Sequence, residues 1–298
     1  MKFVAVGEAM VEMAPAIEPG QYRLGFAGDT LNTAWYLRQL HADWSVDYLT
    51  AVGRDAMSDK MVAFLRDAGI GTDHIQRMSD RTVGLYLITL RDGERQFSYW
   101  RGEAAARRLA ADLLALQEAD IVYFSGITLA VQEGDGRDRL LDAMARARSK
   151  GAIIAFDSNL RPRLWEGQRQ MREWVTKAAA VSDIILPSHD DEATCFGDVN
   201  TAATCARYAA QGAQTVVVKN GPGPVHYRHA DEEGIVQPAI LTDVVDTTAA
   251  GDSFNAGFLA DFCDGVPVPE AITTASNVAR RVIQGRGALV RLAGGNGM

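Results

Sequence analysis

Asp246-Thr247-Thr248-Ala249-Ala250-Gly251-Asp252-Ser253-Phe254-Asn255-Ala256-Gly257 is the stretch that decides how the rest of the chain is read. Phe254, Phe258 and Phe262 recur every four residues with Leu259 beside them, which is helical spacing with one apolar face. Ala249, Ala250 and Gly251 therefore fall where a loop becomes a helix. The free N–H groups of a first helical turn, with the positive end of the dipole, can hold an anion there. Small side chains let a phosphate approach the backbone closely. Asp252, in that first turn, is placed to take a proton from a hydroxyl attacking the phosphate. An ordinary helix start, with Asp252 serving only the dipole, is the competing reading. An anion site beside a carboxylate base points instead to phosphoryl transfer.

On the N-terminal side, short apolar runs alternate with helical ones. Phe3–Val6, Val46–Val52, Ile121–Ser125, Ile153–Phe156, Ile184–Leu186 and Thr215–Val218 read as buried strands. Between most of them lie helical patterns at Leu31–Leu40, Ser58–Ala68, Gly136–Arg148, Met171–Val181 and Ala202–Gln211. Such alternation predicts an α/β fold, a parallel sheet with helices on both faces and ligands at the carboxyl ends of its strands. Two regions break the pattern. Met10–Phe26 is not helical, and Val83–Leu90 with Gln96–Trp100 reads as a hairpin whose turn contains Asp92-Gly93. Together they predict a small sheet standing off the main one, as a lid or a dimer contact. Residues 1–298 read as one unit, with lid strands from about 10–26 and 83–101.

Composition excludes several classes. The 298 residues are 47% hydrophobic and 23% charged, with no apolar run long enough to span a membrane. A net charge of -8 argues against general nucleic-acid binding, although local arginines can still hold an anionic substrate. Cys195, Cys205 and Cys263 are scattered and the five histidines are unpaired, so a zinc site is not expected. The cysteines read as thiols in a reducing cytosol. With Met1–Gly7 entering a strand without a signal peptide, the expected location is cytoplasmic. Ala293–Met298 reads as a loose tail.

No G-x-x-x-x-G-K-[ST] phosphate loop and no protein-kinase catalytic loop occurs. Ala27-Gly28-Asp29-Thr30-Leu31-Asn32-Thr33-Ala34 opens a helix, and by itself reads equally as a capped N-terminus. Taken together, this stretch and Asp246–Asp252 resemble the two signatures of the ribokinase-like (PfkB) carbohydrate kinases, G-G-x-x-x-N-x-A and D-T-x-G-A-G-D. Ala27 and Ala249 replace glycines of those patterns, and a methyl at 249 is tolerable if the residue keeps a negative φ. The resemblance runs from about Phe3 to Leu292. It implies a three-layer sandwich with a central, mainly parallel sheet and a small β-sheet lid. It also implies ATP and Mg2+ as cofactors, Asp252 as base, and an anion hole at Ala249, Ala250 and Gly251. Gly28, Asp29 and Asn32 would bind sugar hydroxyls.

Phe97-Ser98-Tyr99-Trp100-Arg101, with Tyr86 on the preceding strand, ends in an arginine near tyrosine hydroxyls, which suits a planar carboxylate. Asp157–Trp165 follows a buried strand, so Arg161 should lie at the functional edge, gripping substrate or phosphate unless it is a surface ion pair. Both segments resemble the 2-keto-3-deoxygluconate kinase branch, whose substrate is a sugar acid. That resemblance implies transfer of phosphate from ATP to the terminal hydroxyl, giving the 6-phosphate. On the nucleotide side it implies Asn159, Ser188, Lys219, Gly221, Gly223 and Asn277, with Asp191 or Glu192 organising Mg2+ through water. It leaves room for a monovalent cation such as K+ near Asp246 and Thr248. Partners are then a small sugar acid, ATP, and a second copy of the chain through the lid sheet. The rivals are a kinase for a neutral ketose such as fructose, and a non-catalytic sugar or nucleotide sensor on the same fold.

Overall fold

The β-branched runs become strands because only a sheet lets both faces of Val, Ile and Phe pack at once. In chain order the strands are β1 Lys2–Val6, β2 Met10–Pro15, β3 Tyr22–Ala27, β4 Ser45–Val52, β5 Ile75–Arg77, β6 Gly84–Arg91 and β7 Glu94–Trp100. They continue as β8 Ile121–Ser125, β9 Ile153–Asp157, β10 Ile184–Ile185, β11 Thr215–Val218, β12 Val225–His229 and β13 Glu232–Val236. The computed structural model describes residues 1–18, 20–91 and 94–292; the expected Asp92-Gly93 turn and the tail 293–298 lie outside the described residues.

Nine strands form the main sheet in the order β13-β12-β11-β10-β9-β8-β1-β4-β5. β1 lies parallel between β4 and β8, with Phe3 opposite both Val46 and Ile121. Its side chains alternate between two cores. Phe3 and Ala5 meet Leu31, Met61, Phe254, Phe258 and Ile272 on one face, whereas Val4 and Val6 share the other with Leu140, Met144, Met171, Val175 and Tyr208. Helices therefore cover both faces, as the alternation requires.

The sheet is not wholly parallel. β12 and β13 add an antiparallel edge beyond β11. Neither was expected from sequence, because His226, Arg228 and His229 interrupt the apolar run that marks the central strands.

β2, β3, β6 and β7 make the smaller sheet, in the order β3-β2-β6-β7. β2 pairs parallel with β6, Glu12 lying opposite Tyr86, and β6 pairs antiparallel with β7, Tyr86 opposite Tyr99. These are the two regions whose patterning departed from strand–helix alternation.

Candidate active site

Helix Ala250–Cys263 is seated by its apolar face: Phe254 and Phe258 are buried, and Phe262 stacks on Phe258 with ring centroids 5.1 Å apart. Gly257 lets helix Val268–Val282 approach, since a Cβ there would stand 2.9 Å from the Ala275 Cα. Ahead of the helix, Ala249 has φ 59° and ψ 17°. This corrects the expectation of a negative φ: the chain makes the left-handed turn with alanine where the family pattern has glycine, at a cost of roughly 1–2 kcal/mol. A second correction concerns the donors. The Ala250 N–H is directed at the Thr247 carbonyl, 3.2 Å away. The N–H groups left free to meet an anion are those of Gly251 and Asp252, in the first turn, where a helix offers no acceptor. Gly251 leaves room beside Lys219, whose Nζ would lie 3.7 Å from a Cβ there.

The carboxyl ends of the main strands bring together a polar cluster around this turn. Asp252 Oδ2 accepts from Asn32 Nδ2 at 2.8 Å, across the two family-like stretches. Asp29 Oδ2 accepts from Asn159 Nδ2 at 2.7 Å. Asp157, at the end of β9, accepts at one oxygen from Asn255 Nδ2 at 2.8 Å and from Lys219 Nζ at 3.4 Å. Lys219 also donates to Asn255 Oδ1 at 2.9 Å, and Asn255 Nδ2 reaches the Tyr123 hydroxyl at 2.9 Å. Lys219 touches only Asp157 of the three aspartates and acts on Asp252 through space. Burial, with the nearby charges of Asp29 and Asp157, pushes Asp252 up to about 8, against the opposing Asn32 hydrogen bond and Lys219. Asp29 is also raised, chiefly by burial. Such a carboxyl suits proton transfer near neutrality.

Gly28 is a packing glycine: a Cβ there would fall 2.2 Å from the Glu8 carbonyl oxygen. It brings the start of helix Asp29–Leu40 against the turn after β1, and Asn32 Oδ1 accepts from its N–H at 3.4 Å.

Beside it lies the small sheet. Arg101 pairs through Nη2 with Glu8, a buried carboxylate beyond the end of β1. Burial raises Glu8, with Arg101 opposing. The Tyr86 hydroxyl donates to Glu12 Oε2 at 2.5 Å, and Tyr99, largely exposed, stacks its ring 5.6 Å from the Arg101 guanidinium. Tyr86, Tyr99 and Arg101 are therefore brought together as expected, but Arg101 already has an internal carboxylate. Arg161 is half-exposed and bonds Asp191 Oδ2 at 3.2 Å and its neighbour's carbonyl at 2.6 Å.

The expected nucleotide side divides. Ser188 bridges Lys219 in strand fashion, and Gly221 (φ 52°) with Gly223 shapes the turn after β11. Asn159 is not on this side: its amide is committed to Asp29. Asn277 is exposed on helix Val268–Val282, with Arg280 3.5 Å away. Asp191 faces the cluster, its carboxyl raised by burial and by Asp157 against the pull of Arg161. Glu192 turns the other way. It is fully buried and its oxygens accept from Arg207 Nη2 at 2.6 Å and Tyr208 at 2.9 Å, so it holds two helices together and is not available to a metal. Among the described residues, no three His, Cys, Asp or Glu side chains cluster to chelate an ion.

A family profile described as pfkB family carbohydrate kinase matches residues 2–292. The chain belongs to the pfkB carbohydrate kinases. It is 38% identical to a 2-dehydro-3-deoxygluconokinase of Dickeya dadantii, covering 96% of both chains, and 36% identical to that of Escherichia coli K12, covering 97% of both. The crystal structure of a fructokinase with bound ATP from Xylella fastidiosa superimposes with a TM-score of 0.82 at 25% identity, over 96% of this chain and 93% of that one. The fold is the ribokinase-like α/β fold of these kinases. For this kinase, sequence reading passed over Asp157, Asn255, Tyr123, Glu8, Glu12 and Arg95. Asp157 and Glu8 carried a usable signal, an acid at or just past the carboxyl end of a buried strand.

Proposed function

We propose that this kinase transfers the terminal phosphoryl group of ATP to the terminal hydroxyl of 2-keto-3-deoxygluconate, giving the 6-phosphate. The observation that carries the reading is the near-full-length similarity to 2-dehydro-3-deoxygluconokinases, in a chain whose small sheet presents an arginine and two tyrosines beside the cluster. Asp252 would accept the proton of the attacking hydroxyl as its oxygen bonds to the terminal phosphorus and ADP leaves. The Gly251 and Asp252 N–H groups and Lys219 would meet the charge on the transferring group; positioning and electrostatics dominate such chemistry. Asn32 fixes the carboxylate that does this, and Asn159 with Asp29 borders the sugar.

Arg101, with Tyr86 and Tyr99, would hold the sugar acid's carboxylate, and Arg161 would help orient it. The small sheet would act as a lid on the single kinase unit of residues 1–298, excluding water. Mg2+ would neutralise the nucleotide phosphates, mostly through water as its octahedral preference favours, with Asp157 and Asp191 as its outer partners. The surplus of acids in the cluster fits that need, since an unaccompanied polyphosphate would be repelled. A monovalent cation beside Asp246 and Thr248 would have to displace Arg95, which already pairs with that carboxylate. Exchanging potassium for sodium at fixed ionic strength should therefore leave kcat within about twofold.

The exposed Tyr22, Leu24, Phe97, Tyr99 and Trp100 of the small sheet suit a second copy of the chain, and light scattering should give a dimer or larger. No helix of the described residues is long and apolar enough to cross a membrane. With three free cysteines, this fits an enzyme working in the reducing cytoplasm.

The test is ATP consumption with Mg2+, comparing 2-keto-3-deoxygluconate, its galactonate epimer, fructose and ribose. Strong preference for the acids supports the reading; preference for fructose or ribose overturns the substrate, and no turnover overturns the reaction.

A further inference from the structure

Arg95 lies near the start of β7, yet its guanidinium ends on the loop in front of the proposed anion site. Nη2 donates to Asp246 Oδ2 at 2.5 Å and Nη1 to Thr248 Oγ1 at 2.7 Å, across 151 and 153 positions of sequence. Asp246 gathers three other threads. Its Oδ1 accepts from the Thr248 N–H at 3.1 Å and the Thr248 hydroxyl at 2.7 Å, and its Oδ2 also accepts from the Gly287 N–H at 2.7 Å, beyond the last helix. Its own N–H reaches the Ile283 carbonyl at 3.1 Å. The Asp246 side chain is only 6% exposed, so its charge needs a partner, whereas Arg95 is 30% exposed and lies at the border of the two sheets. The next residue after Thr248 is Ala249, in the left-handed conformation. A turn of that kind persists only where its surroundings over-determine it.

We propose that Arg95 is a positioning residue: through it the small sheet fixes the Asp246–Thr248 loop, and with it the first-turn N–H groups that receive the transferring phosphoryl group. The inference rests on the kinase reading. It makes the anion site complete only when the small sheet lies against the main one, so a lifted lid leaves nucleotide beside an unfinished site. Transfer to water is thereby disfavoured while substrate is absent. A fork-shaped guanidinium is required because two acceptors, a carboxylate and a hydroxyl, must be held at once, and an ammonium fits only one of them in the same geometry.

The experiment uses the full chain with Arg95→Met, which keeps the stem and loses the fork, and Arg95→Lys, which keeps the charge. Two readouts are taken: kinetics with ATP and the sugar acid, and hydrogen exchange of the amides of residues 246–252 without ligand. For Arg95→Met we expect kcat to fall roughly 10–100-fold while the KM for the acid changes less than about threefold. Exchange should accelerate in 246–252 and not across the central strands, and Arg95→Lys should recover part of both. Unchanged kcat and unchanged exchange would overturn the proposal, leaving an ordinary surface ion pair. Acceleration throughout the chain would overturn it too, in favour of a merely structural role. If the wild type phosphorylates no sugar acid, the substrate reading fails, while the local exchange comparison still decides the role of Arg95.

Discussion

The two regions of the candidate site hold their charged groups in opposite ways. At the proposed phosphate end, aspartates are oriented mainly by neutral amides, Asn32 on Asp252, Asn159 on Asp29 and Asn255 on Asp157, with Lys219 the one counter-charge in contact, at Asp157. At and beside the small sheet, arginines are held by carboxylates: Glu8 on Arg101, Asp246 on Arg95, Asp191 on Arg161. An amide fixes direction without cancelling charge, so the aspartates still repel one another and Asp252 keeps a proton-accepting carboxyl near neutrality. A carboxylate partner cancels the arginine's charge, so an incoming acid has to compete with it. A neutral sugar gains little from such an arginine, whereas an acid can share it, so on the proposed reading discrimination would arise at that end.

Removing the base tests the phosphate end most severely. Asp252→Asn keeps the shape and loses only the ability to take a proton, so kcat should fall by about 10³-fold or more. Direct binding of ATP should stay within about threefold, because nucleotide affinity comes from the loops and N–H groups. A variant retaining a tenth of the activity would show that the hydroxyl loses its proton elsewhere and that the neutral-amide cluster is only structural.

The acid end should respond in KM. Arg101→Ala removes charge-assisted hydrogen bonds to a carboxylate, worth a roughly 10–100-fold rise in KM for the acid with kcat changed much less. Because the single change leaves Glu8 buried without its counter-charge, the comparison is best made in a Glu8→Gln background. If KM values for the acid and for fructose rise equally, Arg101 holds the sheet and not the substrate, and the contrast between the two ends collapses.

Much of this was legible from residue patterns, and the failures have physical causes. The parallel core could be read because strands buried on both faces must be continuous apolar runs, as Ile121–Ser125 and Thr215–Val218 are. The antiparallel pair β12 and β13 at the sheet's end escaped because His226, Arg228 and His229 break the continuous apolar run that marks a strand buried on both faces. Asp252, Asn32 and Lys219 could be singled out as candidates because each lies beside a turn or helix start whose small residues stand out, and the structure brings the first two into contact. Glu8 and Arg95 could not be assigned, since a lone acid or arginine acquires meaning only from a partner 93 or 151 positions away. The choice between Asp191 and Glu192 was likewise undecidable from sequence: adjacent positions on a helix point about 100° apart, and only packing against Arg207 and Tyr208 shows which faces inward.

The raised Asp252 carboxyl makes the phosphate end pH-sensitive in two ways. In the unliganded fold the group titrates at about 8, against 3.8 for an ordinary aspartate. Between those values the folded chain holds a proton that the unfolded chain has released, so stability falls as pH rises through that window. Asp252→Asn should therefore stabilise the free protein by an amount that grows from almost nothing near pH 4 to several kcal/mol, roughly 5 at the linkage limit, at pH 8. The pH profile of kcat/KM should climb on its acid side toward about 8 and not level off near 4. Denaturant melts of both proteins at several pH values, with the rate profile of the wild type, measure the two effects. A gain for the variant that grows toward low pH would reverse the sign and remove the repulsion between aspartates from the account.

Ala249→Gly gives the smallest expected effect and probes the turn that both ends share. Relief of the left-handed conformation favours glycine by roughly 1–2 kcal/mol. Against this, glycine gives the unfolded chain more freedom, costing about 0.5–1 kcal/mol. The half-buried methyl also packs against both the core beneath helix Ala250–Cys263 and the Met10–Tyr86 cluster, and losing part of a buried methyl costs up to about 0.8 kcal/mol. The three contributions nearly cancel, so stability should change by less than about 0.5 kcal/mol, with kcat close to wild type. This near-balance would explain how the chain carries alanine where the family pattern has glycine. A gain well above 1 kcal/mol would mean the methyl contributes nothing and the turn stores strain that Arg95 and Asp246 must restrain. A loss of that size would mean the packing of Ala249, and not the hydrogen bonds of Asp246, sets the position of the anion site.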